Sequence, residues 1–202
     1  MMLWRGKEPL VLASQSKTRQ TLLANAGIDF ESDPAHIDER AIQASSGLSA
    51  PGDIAGLLAR EKARVVSAGR QGRYVVGADQ TLALGARIFN KPSGRAQAAD
   101  QLRELAGHSH ELHAAITVAR DGKLLFEHVS IARMTMRRLS DAHIDSYLEA
   151  AGDAVTSSVG AYQLEGFGVH LFEQIEGDHF TILGLPLLPL LAFLRGEHLL
   201  SV

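Results

Sequence analysis

Between Leu10 and Phe30 the chain reads "LVLASQSKTRQTLLANAGIDF", a strand, a helix and the start of a second strand within 21 residues. So tight an alternation is the pattern of an α/β chain. The apolar run at about 9–13 is the strand. The helix covers about 17–26, with Leu22, Leu23 and Ala26 as its apolar stripe and Gly27 as its C-cap. Ile28–Glu31 restarts as a short strand, and Asp33–Gly52 is polar and punctuated, a loop with about one turn of helix. Ile54–Ala68 reads as a helix with Ile54, Leu57, Leu58 and Val65 inward. "RYVVGADQTLAL" is a strand, then Asp79, then more strand, and Asn90-Lys91-Pro92 closes that unit before a helix over Ala96–Ala106. His110–Ala119 and Leu124–Arg137 are two strands joined at Asp121-Gly122, a hairpin turn. Ser140 caps a helix to about Ala151, Gly152–Gly160 is a loop and Val169–Ile175 a strand. After Gly177-Asp178 the apolar stretch Thr181–Leu194 reads as a buried strand followed by a core helix from Pro186.

A chain of 202 residues suits one domain, or one domain with two lobes. Apolar residues make up 46% and charged residues 21%, a soluble globular composition. The net charge of −3 gives no basic footprint for nucleic acid, so an acidic ligand would have to be met by a few local cations. The absence of cysteine removes disulfides and thiolate chemistry and fits a reducing cytoplasm. Thr181–Leu194 is shorter than the ~20 residues of a membrane span and is interrupted by Pro186 and Pro189. The apolar run behind Arg5 and Lys7 is shorter than the ~7 residues of a signal peptide's core. A cytoplasmic protein is expected, with no membrane or nucleic-acid partner.

The strand that runs into a helix at Ser14–Arg19 offers unpaired N–H groups and a partial positive charge, which favour phosphate. Ser14 and Ser16 can donate hydrogen bonds, and Lys17 and Arg19 add charge. The same residues also read as an ordinary N-cap with solvated cations, and there is no P-loop signature. Asp79 follows Val75-Val76-Gly77-Ala78 and is either a turn aspartate or a carboxylate that binds a hard cation or activates water. Asp38, Glu39, Lys62 and Lys91 are each ordinary alone. Together they are the inventory of phosphoryl or nucleotidyl chemistry, carboxylates for Mg²⁺ and lysines for phosphate oxygens. His108, His110 and His113 invite a zinc reading, but 110 and 113 fall on opposite faces of a strand and no cysteine assists. Glu165, set among Gly160, Gly166 and Gly168, can accept from the N1–H and N2–H₂ edge of guanine; Tyr162 and Phe167 stack on a base or fill the core.

In order along the chain stand Leu12-Ala13-Ser14-Gln15-Ser16-Lys17-Thr18-Arg19, Ile37-Asp38-Glu39, Lys62-Ala63, Gly77-Ala78-Asp79-Gln80, Lys91-Pro92, Gly160-Ala161-Tyr162-Gln163-Leu164-Glu165-Gly166 and Gly184-Leu185-Pro186. This series resembles the Maf family over nearly the whole chain, taken as a single domain; Lys17 and Thr18 replace the usual Pro and first Arg. The resemblance implies a mixed α/β fold. Its elongated central sheet is flanked by helices, with a cleft between two lobes as in inosine triphosphate pyrophosphatases. It implies a Mg²⁺- or Mn²⁺-dependent enzyme that splits nucleoside triphosphates into monophosphate and pyrophosphate. Members are often homodimers, and the family also carries the name septum formation inhibitor. By position, Asp79 is the proton acceptor, Glu39 and Asp79 hold the metal, and Ser14, Arg19, Lys62 and Lys91 hold the phosphates. Thr18, Gln80 and Glu165 tune the base, and Gln80 with Glu165 is the pairing of the branch that favours 7-methyl-GTP. The alternative is a nucleotide-binding regulator of division that acts through protein contacts.

Overall fold

A computed structural model describes residues 3–201. The strands are β1 (Leu10–Leu12), β2 (Phe30–Ser32), β3 (Val75–Leu84), β4 (Arg87–Phe89), β5 (Ser109–Arg120), β6 (Lys123–Met136) and β7 (Phe172–Glu176). The helices are α1 (Lys17–Asn25), α2 (Glu39–Ser46), α3 (Pro51–Gly69), α4 (Arg95–Leu105), α5 (Asp141–Ala151), α6 (His179–Ile182) and α7 (Leu187–Gly196). The seven strands form one mixed sheet in the order β2-β1-β3-β5-β6-β7, with β4 on β3. β1 is parallel to both β2 and β3, while β4 on β3 and β7 on β6 are antiparallel. The hairpin between β5 and β6 turns at Asp121 and Gly122, with φ of 52° and 74°, the positive values a two-residue turn of this kind needs.

By contacts the chain divides into two compact units. The first comprises Met1–Gln80, Ala114–Ser130 and His179–Val202, and the second Thr81–His113 and Ile131–Asp178. In the first, strand alternation sends Leu10, Leu12, Val76 and Ala78 to one face, where they meet Leu23, Leu187, Leu190 and Leu194 from α1 and α7. Val11, Ala13 and Val75 bury with Val66 of α3, on the opposite face. There α3 turns small residues to the sheet, and Ala55 and Ala59 pack with Ala115. Gly77 permits the close approach: a Cβ built on it would collide with the carbonyl oxygen of Ala59 and lie 2.6 Å from the Ala63 nitrogen. The inward stripe expected on α3 is therefore shifted. Ile54 and Leu58 are buried, but Val65 is 42% exposed and Lys62 and Ala63 take inner positions.

Two further expectations are corrected. Residues 39–46 form a full helix, α2, because the Asp38 carboxylate caps it by accepting from Ala41 N at 3.0 Å. The strand expected after Gly177-Asp178 is instead the short helix α6, closed by Leu185 N donating to Phe180 O at 3.1 Å. The last helix does follow Pro186, and β7 begins at Phe172, after a 3-10 turn over Phe167–Leu171.

In the second unit a buried aromatic cluster frames the Gly160–Gly168 loop. His110 Nε2 and the Tyr162 hydroxyl are 2.7 Å apart, and Phe172 meets Tyr162 edge-on with ring centroids 4.8 Å apart. Tyr147 donates to Ala161 O at 3.0 Å, which holds Ala161 in the left-handed region with φ 61°. Burial lowers the His110 pKa to about 4, so the ring is neutral at pH 7. His113 instead lies 3.1 Å from Glu111, so the two rings have separate partners.

Two stability measurements follow from this packing. Gly77→Ala forces a methyl group into the α3 backbone, and urea unfolding is expected to show a loss of about 3 kcal/mol or more. For His110 the unfolded ring, near pH 6.5, binds more protons than the folded one, so its contribution is complete above that pH. Stability should fall by up to about 3 kcal/mol as the pH drops from 6.5 through 4. In His110→Gln, which keeps a polar partner for Tyr162, this part of the slope in the urea midpoints should vanish.

Candidate active site

Asp79 sits inside β3, not at a strand end, and shares the α3-facing side with Val75 and Gly77. Directly across stands Lys62, buried one turn along the inner face of α3 from Ala59. The close helix–strand approach brings Lys62 Nζ to 2.7 Å from Asp79 Oδ1. The same ammonium lies 2.7 Å from Glu39 Oε1. Glu39 is the first residue of α2, where a negative charge also meets the positive end of the helix. One lysine therefore bridges a buried carboxylate and a half-exposed one.

Burial pushes the Asp79 carboxyl above the usual range, and the nearby Glu39 charge adds to this. Lys62 and Arg19 pull it down, Lys62 by both charge and hydrogen bond. Burial lowers the Arg19 pKa, and Asp79 and Glu39 act against that shift. A guanidinium remains charged under such conditions.

Arg19 is fixed by three hydrogen bonds. Its Nε donates to Gly184 O at 2.7 Å, and its Nη1 donates to Ala78 O at 2.9 Å and to Ser14 Oγ at 3.1 Å. Ser16 is the N-cap of α1 and accepts from Arg19 N at 3.4 Å. Ser14 Oγ also accepts from Ser16 N at 3.3 Å, so its hydroxyl oxygen takes two donors while its own proton can be given. The opening segment is thus a helix cap and a cluster of fixed polar groups at once.

Gln80 points to the other face of β3 from Asp79. Its Nε2 donates to Thr181 O and Ile182 O at 3.0 Å each, which explains why residues 181–182 do not join the sheet. Its Oε1 and Arg19 Nη2 both flank Gly184, each 3.4 Å from where a Cβ would stand. Gly184, with φ 82°, was not among the sequence candidates, although it opens the Gly184-Leu185-Pro186 run. Thr18 is the second residue of α1.

The first unit therefore gathers Ser14, Arg19, Glu39, Lys62 and Asp79, and places Gln80 next to Asp79 in the chain. Lys91 and Glu165 belong to the second unit. Lys91 is exposed in the segment after β4, and Glu165 is exposed in the loop before the Phe167–Leu171 turn. Tyr162, one of the two aromatic candidates, is core.

Glu39 and Asp79 are hard oxygen donors that converge on one cation, as a divalent-metal site requires. Among the described residues no group of three or more His, Cys, Asp or Glu gathers for a metal. Two such carboxylates are donors of the type that could hold Mg²⁺ or Mn²⁺. No helix of the described residues is long and apolar enough to cross a membrane.

The chain is similar to several known proteins. A nucleoside triphosphate pyrophosphatase of Bradyrhizobium diazoefficiens is 69% identical over 202 residues, covering all of both chains. One of Rhodopseudomonas palustris is 67% identical over the same full length. A 7-methyl-GTP pyrophosphatase of Brucella abortus is 54% identical and covers 93% of this chain and 96% of its own. Among solved structures, a nucleoside-triphosphatase (dITP/XTP pyrophosphatase) of Mycobacterium abscessus aligns with a TM-score of 0.43 at 13% identity, covering 95% of this chain and 96% of that one. The family model described as Maf-like protein matches residues 9–197, and the chain belongs to that family.

Proposed function

We propose that this protein is a metal-dependent nucleoside triphosphate pyrophosphatase that splits the α–β phosphoanhydride of a modified nucleotide, 7-methyl-GTP foremost. The carrying observation is the buried Asp79–Lys62 pair with Glu39 on the same ammonium, next to an anchored Arg19. The Brucella abortus relative's name supports the choice of base.

Asp79 is the general base. Its burial makes it a stronger proton acceptor than a solvated carboxylate, while the Lys62 ammonium acts against that rise and favours the ionised form. It takes a proton from water, whose oxygen bonds to phosphorus as the bond to the bridging oxygen breaks and pyrophosphate leaves. Arg19 cannot swing away, because its Nε and Nη1 are tied to backbone and Ser14; it offers Nη2 to a phosphate oxygen. The Ser14 hydroxyl, Lys62 and Lys91 supply further phosphate contacts, and Thr18, Gln80 and Glu165 select the base. A divalent ion held by Glu39 and Asp79 would neutralise phosphate charge when bound. The protein is proposed to work in the cytoplasm, as a homodimer, on free nucleotides.

Pyrophosphate release from a panel of triphosphates with Mg²⁺ or Mn²⁺ tests the activity. Asp79→Asn should lower kcat by about a thousandfold or more while nucleotide binding survives. Turnover equal to wild type removes the base role, and nucleotide binding without hydrolysis on any substrate points to a regulator of division instead. Lys62→Met removes a charge that pulls the Asp79 pKa down, so the Asp79 carboxyl resonance in a ¹³C NMR titration should move to higher pH. A downward move would show that Lys62 does not set the charge of the base.

A further inference from the structure

Gln80 lies inside β3, and its amide reaches α6, a helix of four residues. So short a helix does not hold itself, since one turn returns too few hydrogen bonds for the residues it fixes. Its end is closed by two backbone bonds: Gly184 N donates to Thr181 O at 3.0 Å and Leu185 N to Phe180 O at 3.1 Å, with Gly184 at φ 82°. These are the two bonds of a Schellman stop, whose left-handed residue is usually glycine. The Ile182 carbonyl stays without a partner inside the helix, because the residue four places on is Pro186, which has no N–H. Gln80 Nε2 meets that carbonyl at 3.0 Å, and meets Thr181 O at 3.0 Å as well.

Two carbonyl oxygens can be met only by an NH₂ group, so both protons of the Gln80 amide are taken and Oε1 alone remains. The same stop sets the direction of the Gly184 carbonyl, which accepts from Arg19 Nε at 2.7 Å. Nη1 of that guanidinium donates at 2.9 Å to the carbonyl of Ala78, on β3 just before Asp79 and Gln80. Arg19 is therefore held twice by one strand, directly at Ala78 and indirectly through Gln80, the end of α6 and Gly184. All of these residues belong to the first unit.

We infer that Gln80 is a positioning residue for Arg19: its amide completes the end of α6 and so fixes the Gly184 carbonyl that holds the guanidinium. The inference rests on the proposed phosphate role of Arg19 and deepens it. A guanidinium held at both Nε and Nη1 keeps Nη2 in one direction. Released from Gly184, it gains rotation and offers Nη2 in the productive place less often. Through Arg19, Gln80 acts on every triphosphate alike, whatever its base. At the base itself it can serve only as an acceptor, through Oε1.

Exchange of the Arg19 Nε proton with solvent, followed by ¹⁵N NMR on the ligand-free protein, reads the hold on the guanidinium without any substrate. Gln80→Met keeps the length of the side chain and removes both donors. It should speed that exchange by about tenfold or more and lower kcat on every triphosphate cleaved. Gln80→Lys keeps N–H donors for the two carbonyls and should hold the exchange near the wild-type rate. Gly184→Ala, strained at φ 82°, disturbs the same carbonyl from its other end. It should speed the exchange as well, and it carries the test if Gln80→Met does not fold. Exchange at the wild-type rate in folded Gln80→Met or in Gly184→Ala overturns the positioning role, whatever the protein cleaves. Fast exchange in both, with no triphosphate cleaved by wild type, upholds the positioning and removes the proposed function.

Discussion

The close contact of α3 with β3 is the constraint on which the first unit depends. A helix and a sheet normally keep room for side chains between them. Here glycine on the strand and alanines on the helix remove that room over one turn. The cost is the loss of large apolar contacts at that point. The gain is that a lysine of the helix and an aspartate of the strand meet at hydrogen-bond distance inside the protein. A buried ion pair is rarely a net source of stability, because desolvation of both charges offsets their attraction. Its presence at this close helix–strand contact argues for chemistry rather than for support.

Much of this was legible in the sequence, for identifiable reasons. The opening strand, the first helix and its glycine stop stand almost where the pattern puts them, because capping residues and periodicity agree there. The β5–β6 hairpin is equally direct, since Asp-Gly suits the positive φ of its turn. α2 was missed because the chain around it is polar and its start depends on a single carboxylate cap. α6 was misread because Thr181 and Ile182 have β propensity, yet their carbonyls are taken by the Gln80 amide and not by a neighbouring strand. The inner face of α3 was misjudged by following its large residues. The series Ala55, Ala59, Ala63 and Val66 has helical spacing, and it would have exposed Lys62 as an inward cation.

The site residues divide in the same way. Their types were legible, and so was the resemblance that joins them. What the Gly184-Leu185-Pro186 motif did not carry was the contact of Gly184 with Arg19 and Gln80, across 165 and about 100 positions of sequence respectively. A backbone carbonyl has no signature in sequence, so a contact of this kind is found only when the chain is folded. Tyr162 illustrates the converse. Its motif position made it a candidate for the ligand, while its hydroxyl and ring are spent on the core of the second unit.

Lys62 answers to two carboxylates with one positive charge. Alone, the acids would repel each other, so the ammonium serves as their internal counterion. An anion that competes for that ammonium leaves the acids under-neutralised, and their demand for another cation rises. A cation that settles on the acids releases the lysine toward an anion. The two events are linked with the same sign, and each must tighten the other by an equal factor. Were the proposed metal and phosphate to bind here, the bridge would weaken either ion alone and favour the two together.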